Sequence, residues 1–173
     1  QASVSRTDDF RRDATIVTGS ASLADYRSSG FDRGHMAPAA AMAWSKEVMS
    51  ESFYLSNMSP QEPAFNRGIW RHLEERVREW AHVHGEVFVV TGPLLVGELP
   101  KIGLNDVAVP AYYYKVIADL RGPVLAGIGF ILPNRAVDKA IETFAVSIDS
   151  VELATGINFS PDLPDSLELK IEN

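Results

Sequence analysis

The chain has 173 residues, a length that suits one domain with a sizeable core. Its composition, 46% hydrophobic and 23% charged, is that of a soluble globular protein, and no apolar run approaches the roughly 20 residues of a membrane span. The absence of cysteine excludes disulfides, thiolate metal sites and a Cys nucleophile. The net charge of −7 counts against a polyanionic partner, but residues 1–80 hold 10 Lys/Arg and 11 Asp/Glu, whereas residues 81–173 hold 6 and 12. The cations of the first half are arginines except Lys46, and arginine suits bidentate contact with phosphate better than lysine does. The opening QASVSRTDDF lacks both the layout of a signal peptide and an initiator Met, as expected of a processed or trimmed chain.

No repeat or linker divides residues 1–173, which read as one domain. In chain order, ATIV (14–17) reads as a short strand and GSASLADYRSSGFDRGH (19–35) as a long Ser- and Gly-rich loop. PAAAMAWSKEVMSES (38–52) has helix formers behind a Pro suited to a first helical turn. SFYLSNMSPQ (52–61) reads as a strand running into a Pro-broken turn. From Arg67 to about Val83 apolar residues recur at helical spacing, with Arg67, Arg71, Glu75 and Arg78 on the other side. EVFVVTGPLL (86–95) has the pattern of a buried strand, and VAVPAYYYKVIADL (107–120) and VLAGIGFILP (124–133) predict two more. VSIDSVELATG predicts a short helix capped by Gly156. Strands and helices do not alternate strictly, which predicts an α+β fold with a mainly antiparallel central sheet flanked by helices.

The polar residues that bear on chemistry are unevenly placed. Asp32, Arg33 and His35 fall in the first loop, Asn57 follows FYLS, Asn66 opens the amphipathic helix and Glu74 lies within it. Hydrolysis of a phosphodiester needs a base for the attacking water, and a neutral His with a pKa of about 6.5 serves. It also needs a cation for the charge that builds on the phosphorane, commonly Mg²⁺ with oxygen ligands and retained waters. An Asn carbonyl suffices as a protein ligand when phosphate supplies negative charge. Singly, each residue has an ordinary structural role: His35 in a turn, Asn57 and Asn66 as turn or cap residues, Glu74 as a helix partner of Arg71 or Arg78. His82 and His84 have a spacing that could chelate on a strand, but with no Cys and a helix ending there a zinc site is not expected, and GIG (127–129) lacks the helix a nucleotide loop requires.

In order and spacing, FDRGHMAPAA, FYLSNMSPQ and FNRGIWRHLE resemble the three signature blocks of the DNA/RNA non-specific endonucleases, in particular their endonuclease G branch. The stretches VFVVTGPLL, VAVPAYYYKV and ILPN extend the resemblance over roughly residues 10–160. It implies a ββα-metal finger and a sugar-non-specific endonuclease that cleaves DNA and RNA to 5′-phosphate and 3′-hydroxyl ends. By resemblance His35 is the general base and Asn66 binds Mg²⁺, for which Mn²⁺ can substitute. Glu74 holds a metal-bound water, and Asn57 orients His35 or the phosphate. Arg33 lies near the scissile phosphate or supports the loop, which Asp32 braces. Arg27 and Arg67 are candidate substrate-binding residues, and the family's upstream arginine is either Arg6 or Arg27. The partners implied are DNA and RNA held through the phosphate backbone, with no membrane and with a homodimer as the common arrangement of relatives.

The resemblance carries three further expectations. Eight residues of regular helix span about 12 Å, so Asn66 is expected at or before the first helical turn, with a bend at Gly68. Relatives carry strand-forming sequence ahead of the segment that begins here, which implies a fragment or a partner chain that completes the sheet. Mitochondrial (intermembrane space) and bacterial periplasmic or secreted homes both stay open. The alternatives in function are a catalytically silent nucleic-acid-binding module of the same fold and a phosphoesterase acting on small nucleotides.

Overall fold

The computed structural model describes residues 4–121, 125–161 and 171. Helix α1 (Leu23–Tyr26) and strand β1 (Asp32–His35) lead to a 3₁₀ turn at Ala39–Met42 and helix α2 (Lys46–Glu51). A second 3₁₀ turn, Leu55–Asn57, enters β2 (Met58–Gln61); α3 (Pro63–Phe65), a π-type segment Asn66–Trp70 and the long α4 (Arg71–His84) follow. Strand β3 (Phe88–Leu94), the short pair β4 (Lys101–Ile102) and β5 (Val107–Ala108), and then β6 (Tyr112–Asp119) and β7 (Ala126–Pro133) come next. A 3₁₀ turn at Ile141–Phe144, β8 (Ala145–Val146) and α5 (Ile148–Thr155) complete the order.

The central sheet is antiparallel with strand order β3-β6-β7-β8. Alternation along β6 decides what covers each face. Tyr113 and Ile117 face α4, where they bury Leu73, Val77 and Trp70 together with Phe65, Phe130 and Leu132. Tyr114 and Val116 face α5 and pack on Ile148 and Val151. Each such apolar side chain contributes roughly 1.5–3 kcal/mol on burial, so the two helices are held by the sheet rather than by propensity. At the C-terminus of α5, Gly156 takes φ 70° and its N–H closes on Glu152 O at 2.7 Å, the cap the sequence predicts.

A separate two-stranded ribbon joins β1 to β2, with Asp32 opposite Gln61 and His35 opposite Met58. Gly34 is glycine for want of room: a Cβ there would stand 2.1 Å from the side chain of Gln61, which is fully buried. The ribbon is latched to the sheet by two residues. The Tyr113 hydroxyl donates to Ser59 Oγ (2.7 Å) or Pro60 O (2.9 Å). Asn134 accepts from Glu62 N–H (2.8 Å) and donates to Pro60 O (3.0 Å) and Pro110 O (2.9 Å).

Several local expectations are corrected. DRGH is a strand, not part of a loop, because its backbone is paired with MSPQ; Pro60 is tolerated since the ribbon leaves one edge of β2 unpaired. Residues 14–17 form turns instead of a strand: Asp13 accepts from Thr15 N–H and Oγ1, and Val17 is 99% exposed with nothing to pair against. The helix expected over 38–52 is split because Ser45 caps α2, accepting from Val48 N–H at 3.4 Å. Strand β3 is an edge strand and not fully buried, with Phe88 49% exposed. His82 and His84 lie in the last turn of α4, where His84 pairs with Asp119 at 2.8 Å.

The latch yields a stability test. Asn134→Ala strands the Glu62 N–H and two carbonyls, and should cost about 2–3 kcal/mol. Urea denaturation should show a lowered midpoint with unchanged slope. A loss below about 0.5 kcal/mol would mean that water replaces the latch at no cost.

Candidate active site

The N-terminal segment is laid against the chain that precedes β2. Arg11 N–H donates to Phe53 O (3.3 Å), Leu55 N–H donates to Arg11 O (2.8 Å), and the Arg11 guanidinium lies on the Tyr54 ring at 4.0 Å. That contact carries Phe10 and Arg6 to His35. The imidazole is held edge-on between Phe10 and Phe53, with ring centroids 5.8 and 5.0 Å away. Each of these rings also carries a cation: Arg33 on Phe10 at 4.0 Å and Arg6 on Phe53 at 4.8 Å.

This surround sets the protonation of His35. Burial pushes its pKa down, and the charges of Arg6 and Arg33 push the same way against an opposing effect of Asp8, leaving it at about 4. The ring is therefore neutral at pH 7. Its Nε2 is buried with no hydrogen-bond partner among the described residues. A neutral imidazole with a free nitrogen can take a proton from water.

Asp32, the acidic residue of DRGH, ties the ribbon to the helical segment. It accepts from Asn66 Nδ2 (2.9 Å) and bidentately from Arg67, through Nε (2.8 Å) and Nη2 (2.6 Å). Burial pushes its carboxyl up, but the hydrogen bonds from Arg67 and Asn66, with the charges of Arg67 and Arg33, outweigh this and hold it below the usual range. An ionised carboxylate only accepts, so it fixes which end of the Asn66 amide it meets. The Asn66 carbonyl is thereby left without a partner among the described residues. Asn66 lies before α4, and Gly68 breaks the helix with φ −102° and ψ −113°, the bend the spacing called for.

Glu74 sits in the first turn of α4 and makes no hydrogen bond among the described residues. Burial pushes its carboxyl up, offset in part by Lys115, Arg78 and Arg6. Arg6 is thus close enough to act on both His35 and Glu74. Lys115 is fully buried, donates to Thr91 Oγ1 (2.6 Å) and lies on the Trp70 ring at 4.7 Å. Burial pushes its ammonium down and the Glu74 charge pulls it back up.

Asn57 does its work on the backbone. It accepts from Ala37 N–H (2.9 Å) and donates to Ala37 O (2.9 Å) and Ser52 O (2.8 Å), with its own carbonyl taking Met36 N–H (3.0 Å). Its amide is committed to holding the chain that follows His35, which leaves it nothing to offer a phosphate. Arg6, Arg27, Arg33 and Arg67 line one cleft of about 510 Å³ with Asp8 and Asn66. Arg67 reaches the cleft 72% exposed while its guanidinium is held by Asp32.

Sequence reasoning missed Lys115, Asp8 and the two phenylalanines. A lone Lys inside the apolar run YYYKVIA is a legible signal for the first. The others depend on the packing of residues 4–12, which no local pattern encodes.

The donor set fits a hard divalent cation. Among the described residues two oxygen groups, the Asn66 carbonyl and the Glu74 carboxylate, accept no hydrogen bond, and no cluster of three His, Asp or Glu forms a cage. Such a site suits Mg²⁺, which keeps several waters and accepts few protein ligands.

The DNA/RNA non-specific endonuclease family model matches residues 1–166. Human mitochondrial endonuclease G is 40% identical over 169 residues, covering 90% of this chain and 57% of its own length. Nuclease C1 of Cunninghamella echinulata is 42% identical over 153 residues, covering 79% and 60%. The chain thus spans less than two thirds of these relatives. A crystal structure of an EndoG/EndoGI complex, concerned with the mechanism of EndoG inhibition, superposes with TM-score 0.90 at 34% identity, covering 99% of this chain and 75% of that one. The chain belongs to the DNA/RNA non-specific endonuclease family and has the α+β, ββα-metal fold of endonuclease G.

Proposed function

We propose that the chain is a Mg²⁺-dependent endonuclease that hydrolyses phosphodiester bonds of DNA and RNA to 5′-phosphate and 3′-hydroxyl ends. The observation that carries this reading is a neutral His35 with an unpartnered nitrogen, flanked by Arg6 and Arg33 and tied through Arg6 to the Glu74 region. His35 accepts a proton from water as the water oxygen bonds to phosphorus. The P–O3′ bond breaks, and the 3′ oxygen takes a proton from solvent. Arg33 and Arg6 hold the phosphate oxygens as charge builds on them. Arg6 serves better than Arg27 as the upstream arginine, because it lies on the Phe53 ring that flanks His35.

A divalent ion, when bound, offsets charge on the phosphate and the leaving oxygen. Asn66 would offer its carbonyl to such an ion, and Glu74 would hold one of its waters. Asp32 keeps Asn66 turned the right way. Water as nucleophile makes no use of a 2′-hydroxyl, which is why one site handles both sugars. The mitochondrial relatives support the mitochondrial of the two homes left open by the sequence.

Supercoiled plasmid is the first substrate to test. The wild-type chain should nick it with Mg²⁺, EDTA should abolish nicking, and His35→Ala should lower the rate at least about 100-fold, the typical share of general-base catalysis. A folded wild-type chain that binds the plasmid and leaves it intact with Mg²⁺ and Mn²⁺ would favour the silent binding module.

The burial of His35 gives a second test. Its folded pKa of about 4 lies below the unfolded value of about 6.5, so the neutral form is favoured by folding. That contribution to stability is fully present above pH 6.5 and is lost as pH falls through 4. In an NMR titration the His35 ring should stay neutral to near pH 4; a midpoint at the ordinary value would mean that the imidazole is solvated.

A further inference from the structure

Asp8 is an anomaly in a cleft lined by four arginines. Only two carboxylates line it, Asp8 and Asp32. Both oxygens of Asp32 are consumed by Asn66 and Arg67 inside the protein framework. Asp8 is different. Its carboxylate has one partner among the described residues, Arg6, whose Nε donates to it at 2.6 Å, and both side chains are more than half exposed. Its backbone takes φ 51°, a conformation that Asp and Asn tolerate better than other side chains. The chain therefore accepts an unusual conformation where it sets an anion on the one arginine whose charge bears on both His35 and Glu74.

We infer that Asp8 is an internal stand-in for a substrate phosphate, seated on Arg6 until a nucleic-acid phosphate displaces it, and so sets the affinity and salt dependence of the cleft. The inference rests on the reading of this cleft as a phosphate-backbone site. Both anions are oxyanions, and a guanidinium meets carboxylate and phosphate in the same way. A phosphate that takes Arg6 from bulk solvent releases a condensed counterion. A phosphate that takes Arg6 from Asp8 gives back part of that gain, because the freed carboxylate draws cations from solution. Arg6 then adds less to the salt slope in the wild-type chain. With Asp8 neutral, it adds about 0.9 to the slope on duplex DNA.

The test uses the full chain in EDTA, where binding is read without cleavage. Fluorescence anisotropy with a short labelled DNA duplex gives Kd over a KCl series for wild type, Asp8→Asn, Arg6→Ala and the double variant. Asn keeps the backbone conformation, and Asp8→Ser should change Kd in the same direction. Asp8→Asn should tighten low-salt binding about three- to tenfold and steepen the salt slope by an amount no greater than about 0.9. In the Arg6→Ala background the same substitution should change Kd less than about twofold. Wild-type binding with an unchanged or weakened Asp8→Asn overturns the inference. So does an equal gain with and without Arg6, which would make Asp8 a general source of repulsion. Failure of all four proteins to bind the duplex would sink the phosphate-backbone reading itself, and the role of Asp8 with it.

Discussion

The site depends on one carboxylate. Asp32 stands at the start of β1 and bonds Asn66 and Arg67, which lie on the far side of β2 and α3 in sequence. Without it the Asn66 amide would lose the hydrogen bond that sets its facing. Because an ionised carboxylate only accepts hydrogen bonds, it turns the Asn66 nitrogen inward and the oxygen outward. The geometry proposed for metal binding therefore follows from the charge state of a residue that touches no metal. Arg67 secures that charge state with two hydrogen bonds, so its capture by Asp32 serves the site in another way than the substrate contact expected of it.

The second constraint is the pair of rings around His35. Phe10 and Phe53 take the imidazole out of water, which favours its neutral form. The same rings carry Arg33 and Arg6, so the cations proposed to hold a phosphate also suppress protonation of His35. The cost is a buried nitrogen without a partner, and a pKa lower than a base working at neutral pH would choose. On the proposed reading, a bound phosphate would offset the part of that shift that comes from the two guanidiniums, while burial would go on lowering the pKa.

Much of this arrangement was legible in the sequence. The apolar period over 69–81 marked the long helix, the run VAVPAYYYKVIADL marked a strand, and the gap between Asn66 and Glu74 required a break that Gly68 supplies. What stayed hidden was hidden for physical reasons. DRGH reads as loop because Gly, Asp and Arg are poor strand formers; its pairing with MSPQ is imposed by Tyr113 and Asn134 from a distant sheet. ATIV reads as strand because β-branched residues favour extended backbone, yet no neighbouring edge exists to pair it, and Asp13 folds it into a turn. Arg6 could not be preferred to Arg27 by spacing, since the parallel contact of Arg11 with Tyr54 decides which arginine reaches His35.

The acidic balance of the chain then ceases to argue against a polyanionic substrate. A charge acts in water over a Debye length of about 8 Å, so the sum over 173 residues matters less than what lines one cleft. Four arginines face two carboxylates there. One of those carboxylates is spent inside the protein, and the other rests on Arg6 through an exposed contact that a phosphate can exchange. The lining of this cleft is therefore net positive although the chain as a whole carries −7. Such a distribution raises the local concentration of phosphate at the site while discouraging attachment elsewhere, which a uniformly basic surface could not do.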